Sequence, residues 1–198
     1  MPFQELGGRC VFSCEWDKFA QKTYRMNYGE TPAGDIRQVA SNDIPDFDVL
    51  LAGFPCQPFS LAGVSKKQSL GRPTGFEDKT QGTLFFEVAR IIRDKRPKAF
   101  LLENVKNLTS HDGGKTFKVI RQTLEEDLGY HIFWKVLDSK NWTCQHRERI
   151  YIVGFREEVP FSWDDLEVPG PGHTLGEILE EQPNERYTIS DKPVSYTH

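Results

Sequence analysis

The stretch that most constrains the fold of this chain is residues 48–60, with the sequence DVLLAGFPCQPFS. Its apolar run 49–53 is continuous rather than alternating, as in a parallel strand that is covered on both faces. Cys56 follows between Pro55 and Pro58, which restrict the backbone and remove two hydrogen-bond donors. Open α/β sheets bind their ligands at the carboxyl ends of such strands. We therefore predict that Cys56 lies on a stiff turn at the ligand-binding edge of an α/β sheet.

Cys56 has two interpretations. A free cysteine is often a small buried hydrophobe, but the residues around this one form turns and are partly polar, so burial for packing fits poorly. A nucleophile fits better. Because a free thiol has a pKa of about 8.5, we expect nearby positive charge or hydrogen bonds to lower it.

Two further motifs follow along the chain. The apolar run 99–102 predicts a second buried strand, and Glu103 and Asn104 come directly after it. The segment 145–149, QHRER, comes directly before a strand-like run. A carboxyl group is therefore expected at the same sheet edge as Cys56.

In this order, GFPCQPFS, ENV and QHRER resemble the motif series of DNA cytosine-5 methyltransferases of the bacterial restriction-modification type, over about residues 6–160. The resemblance implies an α/β fold with a Rossmann-like, S-adenosylmethionine-dependent methyltransferase sheet, mostly parallel with an antiparallel edge strand. It also implies transfer of a methyl group from S-adenosylmethionine to carbon 5 of cytosine in duplex DNA. In such a reaction the target base is flipped out of the duplex and held in a covalent cysteine adduct.

The resemblance assigns the chemistry to a few side chains. Cys56 would add to carbon 6 of the ring, and Glu103 would hold a proton for ring nitrogen 3. Arg149, supported by Arg147, would bond the exocyclic oxygen. Without the resemblance, Glu103 could be a helix-cap acid and the arginines surface cations. The residues expected around the flipped base are Phe54, Pro55, Gln57, Ser60 and Asn104.

The cofactor site is predicted from segment 9–16, which has the pattern of a short strand ending in an acid. Asp17 is then the candidate N-cap of a helix 18–27 that Gly29 closes. Such an acid takes ribose hydroxyls in nucleotide-binding units, although the acids could equally be favourable charges at a helix N-terminus. By resemblance, the residues that bind S-adenosylmethionine are Glu15 on the ribose, Trp16 on the adenine face, Asp35 on the adenine amino group, and Ile36 and Leu84.

Hydrophobic periodicity predicts the other main elements. Amphipathic helices are expected over 83–95 and 115–128. The strands 131–137 and 149–155 are too close in sequence for a helical crossover and should pair antiparallel at the sheet edge. Residues 60–82 form a polar segment whose length is usually functional, and by resemblance this segment closes over DNA.

The charge balance limits how the chain contacts DNA. A net charge of −4 and a pI of 5.8 exclude a surface that grips nucleic acid everywhere, so contact with duplex DNA must be local. The basic residues of 60–82 are candidates for it. We interpret the basic cluster 90–98 as favourable charges at a helix C-terminus instead.

Composition argues against several other classes. The four cysteines show neither a disulfide framework nor a paired zinc pattern, and Cys144 with His146 lacks a second ligand pair, so no metal is expected. No apolar run approaches the about 20 residues of a membrane span. The sequence predicts a cytoplasmic protein with no membrane partner.

The resemblance fails at both ends of the chain. The family's first strand and glycine-rich cofactor turn have no counterpart, and neither has its target-recognition region. We therefore expect 1–160 to be a partial catalytic core lacking its first strand and 161–198 to lead into the recognition region. Activity is expected to need these segments, which a second chain could supply. The alternatives are a tRNA cytosine-5 methyltransferase and an inactive DNA-binding fragment.

Overall fold

The structure, a computed structural model, describes residues 2–56, 84–170 and 172–181. The chain divides into a larger unit, residues 1–137 and 148–166, and a smaller unit, residues 138–147 and 167–198. The predicted DNA-closing segment 60–82 lies outside the described residues. In the parts of the chain that are described, no helix has the length and apolarity to cross a bilayer.

Four strands form one mixed sheet. They are β1 (Val49–Gly53), β2 (Ala99–Val105), β3 (His131–Asp138) and β4 (Glu148–Phe155), in the order β1-β2-β4-β3. β1 and β2 are parallel, whereas β2 and β4 are antiparallel. The predicted α/β class, with parallel strands and an antiparallel edge, is confirmed, and β3 and β4 are neighbours as expected.

Helices α1 (Pro2–Glu5) and α2 (Lys18–Tyr28) precede the sheet. The predicted caps of α2 are confirmed. The Asp17 carboxylate accepts hydrogen bonds from the backbone N–H groups of Phe19 and Ala20. Gly29 ends the helix with a left-handed φ of 76°, a conformation that suits glycine.

Helix α3 (Leu84–Lys95) comes between β1 and β2 in the chain, and residue 83, where this helix was predicted to start, lies outside the described residues. Helix α4 (Lys115–Gln122) is shorter than predicted because a π-helical turn, Thr123–Asp127, continues it. A short helix, α5 (Leu175–Ile178), lies in the smaller unit.

The core lies where α3 and α4 pack on the sheet. Its almost fully buried side chains are Phe85, Ala89, Ile92, Phe100, Leu102, Ile120, Leu124, Ile150 and Ile152. Burying an aliphatic or aromatic side chain of this kind contributes about 1.5–3 kcal/mol. Gly154 is required by this packing, since a Cβ there would overlap the ring of Phe100.

Two strand predictions are only partly correct. Segment 9–16 forms one isolated parallel bridge, Cys14 with Ala33, instead of a strand, because a strand needs a ladder of consecutive pairs. β1 is not covered on both faces: Val49 and Leu51 are 42% and 48% exposed, while the alternate residues pack on the core. As the first strand in the sheet order, β1 meets the helical core with one face only.

The basic cluster 90–98 is held by partners within the chain. Arg90 pairs with Glu87, Lys95 with Asp46 and Lys98 with Asp48. These contacts support the interpretation of the cluster as structural rather than as a DNA-binding patch.

Candidate active site

The turn that leads to Cys56 is tied to the end of β2. The register of β1 and β2 places Gly53 opposite Glu103. The side-chain Nδ2 of Asn104 donates a hydrogen bond of 2.8 Å to the carbonyl oxygen of Phe54, and its Oδ1 accepts one of 2.8 Å from the N–H of Val105. Because Asn104 is only 2% exposed, its side-chain amide makes a buried hydrogen bond that holds the backbone two residues before Cys56.

The residues before Cys56 divide between core and surface. The ring of Phe54 is buried and packs against Phe85, with centroids 5.4 Å apart, whereas Pro55 is exposed. Phe54 therefore anchors the turn from inside, and its contact with a flipped base stays a prediction. Gln57 and Ser60 lie outside the described residues.

Cys56 is a free, partly buried thiol at the end of this turn. Burial raises the pKa of the Cys56 thiol above its ordinary value of 9.0. The expected cation or hydrogen bond that would lower this pKa is not found among residues 2–56 and 84–181 as described.

Glu103 and Arg149 form an ion pair at the same edge of the sheet. Nε of Arg149 lies 2.8 Å from Oε1 of Glu103, and Nη1 donates a 2.8 Å hydrogen bond to the carbonyl oxygen of Glu148. The pairing of Glu103 with Tyr151, two residues after Arg149, places both side chains on one face. The other carboxylate oxygen lies over Gly53, where a Cβ would approach it to 3.4 Å. Glu103 thus sits between Arg149 and the strand that leads to Cys56.

Arg147 belongs to the smaller unit. Its backbone N–H donates to Oδ1 of Asp138 at 3.1 Å, and its carbonyl accepts from the N–H of Ser139 at 3.1 Å. Asp138 also contacts Nδ1 of His146 at 2.6 Å. These bonds order the loop around Arg147, whose support of Arg149 stays a prediction.

The predicted cofactor residues meet where two extended segments run side by side. The parallel bridge between Cys14 and Ala33 is closed by a 2.8 Å hydrogen bond from the N–H of Glu15 to the carbonyl of Ala33. Because the segments run in the same direction, Glu15 and Trp16 leave the bridge on the same side as Asp35.

Asp35 is engaged by one neighbour, Arg37. Its carboxylate accepts the backbone N–H of Arg37 at 3.0 Å, Nε at 2.9 Å and Nη2 at 2.5 Å. These side-chain and backbone hydrogen bonds hold the pKa of the Asp35 carboxyl below its ordinary value. The guanidinium carbon of Arg37 also lies 5.9 Å from the ring centroid of Trp16, which is 69% exposed.

Arg90 ties helix α3 to the segment that follows Asp35. Its Nη2 donates to the carbonyl oxygens of Ile36 at 3.2 Å and Val39 at 3.0 Å, and its Nη1 to the hydroxyl of Ser41 at 2.7 Å. Sequence patterns had suggested no such role. These bonds hold the backbone of Ile36 against helix α3, which begins at Leu84. Ile36 and Leu84, both predicted to bind the cofactor, are therefore held by the same helix.

These residues fit the adenosine part of S-adenosylmethionine. Two carboxylates suit ribose hydroxyls and an amino group, and an exposed indole suits the adenine face. Both carboxylates already accept hydrogen bonds, that of Glu15 from the backbone N–H of Asp17 at 2.9 Å and that of Asp35 from Arg37. Within the described residues, no group of three or more His, Cys, Asp or Glu side chains is arranged to hold a metal ion.

The family model for C-5 cytosine-specific DNA methylases matches residues 1–197. The chain belongs to this family. Among curated relatives, the type II methyltransferase M.SsoII of Shigella sonnei is 51% identical over 185 residues, which cover 91% of this chain and 46% of the relative. The type II methyltransferase M.HaeII of Haemophilus aegyptius is 50% identical over 194 residues, 96% of this chain and 57% of the relative. The chain thus spans about half the length of the curated relatives it matches.

Solved structures share this fold. The Dnmt2 methyltransferase of S. pombe superposes with a TM-score of 0.67 at 17% identity, over 96% of this chain and 57% of that one. A DNMT2 variant of Spodoptera frugiperda gives a TM-score of 0.66 at 22% identity, over 93% of this chain and 56% of that one. At these identities the likeness concerns the fold alone.

Proposed function

We propose that this chain carries the catalytic centre for transferring a methyl group from S-adenosylmethionine to carbon 5 of cytosine in duplex DNA. The observation that carries the proposal is the buried hydrogen bond from Asn104 to Phe54, which links the turn of Cys56 to the strand end that bears Glu103. Membership of the family supplies the class of reaction. The relatives that bear the name type II methyltransferase favour DNA over tRNA as the substrate.

The first chemical task is to make carbon 5 of the base nucleophilic. Sγ of Cys56 forms a bond to carbon 6, and the carbon 5–carbon 6 double bond moves to carbon 4–carbon 5. The Glu103 carboxylate receives the proton that leaves sulfur and passes a proton to nitrogen 3, which takes the electron pair of its double bond to carbon 4. Because burial raises the pKa of Cys56, sulfur loses its proton as this bond forms. The addition is then neutral overall, since one proton leaves sulfur and one reaches nitrogen 3.

Arg149 has two tasks in this scheme. Its Nε holds the Glu103 carboxylate, and a guanidinium has five N–H donors in a planar fork, so donors remain for the exocyclic oxygen of the base. S-adenosylmethionine, when bound, supplies the methyl group as an electrophile. The carbon 5 proton then passes to solvent, the carbon 6–sulfur bond breaks as the carbon 5–carbon 6 double bond re-forms, and the proton on nitrogen 3 returns through Glu103 to Cys56.

The proposed function also requires the protein to bind the cofactor and the DNA. Glu15, Trp16, Asp35, Ile36 and Leu84 would hold the adenosine part of the cofactor. A cytosine in a duplex has to be flipped out to reach Cys56. Sequence readout would come from a target-recognition region, in this chain's natural protein or in a second chain, and residues 1–160 would form the catalytic core.

The test uses a chimera, because the chain matches about half of each relative. This chain replaces the aligned half of the Shigella sonnei relative, and the chimera is incubated with S-adenosylmethionine and duplex DNA carrying 5-fluorocytosine. Fluorine blocks the final proton loss, so a covalent protein–DNA adduct should persist on a denaturing gel. Cys56→Ala should abolish it and Cys144→Ala should not; an adduct that survives Cys56→Ala contradicts the proposal. Methyl transfer to tRNA but not to duplex DNA would favour the alternative substrate.

A further inference from the structure

One side chain, Arg37, contacts both groups that the proposed function assigns to adenine. Three of its N–H groups bond the two oxygens of Asp35 at 2.5–3.0 Å. Its guanidinium lies 5.9 Å from the ring centroid of Trp16, within the range of a cation–π contact. The guanidinium is planar, lies over the indole of Trp16 and donates N–H bonds to a carboxylate. Adenine would make the same two contacts, one with the face of its ring and one with its amino group.

The two ligands cannot share these partners fully. A carboxylate has about four lone-pair sites, and the Arg37 contacts occupy both oxygens of Asp35. Because Nε is shared between the two oxygens, the three donors of Arg37 make four contacts, and an adenine amino group that bonds Asp35 has to displace at least one of these contacts. Stacking of adenine on the same face of Trp16 would displace the guanidinium as well.

Arg37 is free to leave without disturbing the backbone. Its side chain is 50% exposed, so a rotation moves the guanidinium into solvent. The Asp35 carboxylate still accepts a hydrogen bond from the backbone N–H of Arg37, and Arg90 still donates to the carbonyl oxygens of Ile36 and Val39. Only a side-chain rotation separates the two arrangements.

We propose that Arg37 is a placeholder for adenine: its guanidinium competes with adenine for Asp35 and Trp16 and swings out when the adenosine part of the cofactor binds. The inference rests on the proposed function. Arg37 then sets the affinity for the cofactor by competing with it. An exposed ion pair contributes little in water, so the competition should weaken cofactor binding by about threefold to tenfold.

Calorimetric titration of the chimera described above with S-adenosylhomocysteine tests this. Arg37→Met keeps the aliphatic stem and removes every side-chain donor; Arg25→Met, on the exposed surface of α2, is the matched control. Arg37→Met should bind about threefold to tenfold more tightly than the wild type, and Arg25→Met should not differ from it. Raising the salt concentration screens exposed charges, so the gap between wild type and Arg37→Met should narrow. Weaker or equal binding by Arg37→Met would overturn the placeholder role.

A second measurement observes the arginine directly. In a spectrum of ¹⁵N-labelled arginine side chains, the Nε–H signal that is absent from Arg37→Met belongs to Arg37. Saturation with S-adenosylhomocysteine should move this signal to the position of a solvent-exposed arginine. A signal that stays in place with the ligand bound overturns only the placeholder. Absence of binding by both wild type and Arg37→Met would instead overturn the cofactor site of the proposed function, and this inference with it.

Discussion

The side-chain amide of Asn104 and the backbone carbonyl of Phe54 are separated by 50 positions in sequence and by 2.8 Å in the structure. The bond crosses from the end of β2 to the turn after β1. It fixes where the chain goes between the last residue of β1 and Cys56. Cys56, the proposed nucleophile, is therefore positioned by the same strand end that presents Glu103.

Removing this amide should loosen the turn. Asn104→Ala leaves the buried carbonyl of Phe54 without its donor, and an unsatisfied buried polar group costs about 1–3 kcal/mol. The free energy of unfolding, measured by urea denaturation, should fall by about this amount. Asn107→Ala, at an exposed position on the next turn, should change it little. Equal stability of Asn104→Ala and Asn107→Ala would contradict this account of the turn.

Glu103→Gln should lower the rate of adduct formation strongly while changing the free energy of unfolding little. The substitution keeps the shape but removes the acid, and a positioned acid contributes about 100-fold or more to a rate. In the chimera described above, the rate of adduct formation should fall by at least about 100-fold. The free energy of unfolding should change by less than about 1 kcal/mol, because the ion pair with Arg149 is partly exposed.

The control for Glu103→Gln is Glu125→Gln, which removes a comparable pair with Arg121 on the helical surface, 3.0 Å apart. It should leave the rate of adduct formation unchanged. A normal rate in Glu103→Gln, or a similar loss in both variants, would remove Glu103 from the mechanism.

Local patterns predicted most of the elements but not the contacts that join them. The caps Asp17 and Gly29 fix the ends of α2 because their effects act within one helical turn. The motif around Asn104 predicted a place at the active edge. Its bond to Phe54 could not be predicted, since it depends on how β1 and β2 align.

Long-range pairing also explains the errors. A strand was expected over 9–16, but within this segment only Cys14 has a bridge partner, Ala33. The residue types show a preference for strand, but they do not show which segment of the chain would pair with it. Arg90 was interpreted as one of several cations near a helix end. Its acceptors on Ile36 and Val39 lie 54 and 51 positions away, beyond any helical periodicity.

Arg90 should control the order of segment 36–41. Arg90→Met removes donors to two backbone carbonyls and to Ser41, and hydrogen bonds to a charged donor contribute about 1.5–3 kcal/mol each when well formed. Hydrogen–deuterium exchange of 36–41 should accelerate at least about tenfold, since about 1.4 kcal/mol corresponds to that factor. Arg25→Met is the control and should leave this exchange unchanged. Unchanged exchange in Arg90→Met would show that other contacts hold the segment.

The loop before β4 should respond to pH through Asp138. Burial by itself would raise the pKa of the Asp138 carboxyl, but hydrogen bonds from the amide of Lys140, the ring of His146 and the amide of Arg147 outweigh it and hold the pKa below its ordinary value of 3.8. A carboxyl with a lowered pKa stabilises the folded loop above its unfolded pKa. That contribution is lost as the pH falls through the lower, folded value.

The amide of Arg147 reports this change, because it donates directly to Oδ1 of Asp138. Its NMR chemical shift should show a step with a midpoint below 3.8. Asp138→Asn carries no titrating group, so the step should vanish and the amide should resemble the low-pH form at every pH. Asp165→Asn, an exposed aspartate outside the loop, should preserve the step. A midpoint above 3.8, or a step that persists in Asp138→Asn, would assign the titration to a different group and leave the loop around Arg147 held by its backbone bonds alone.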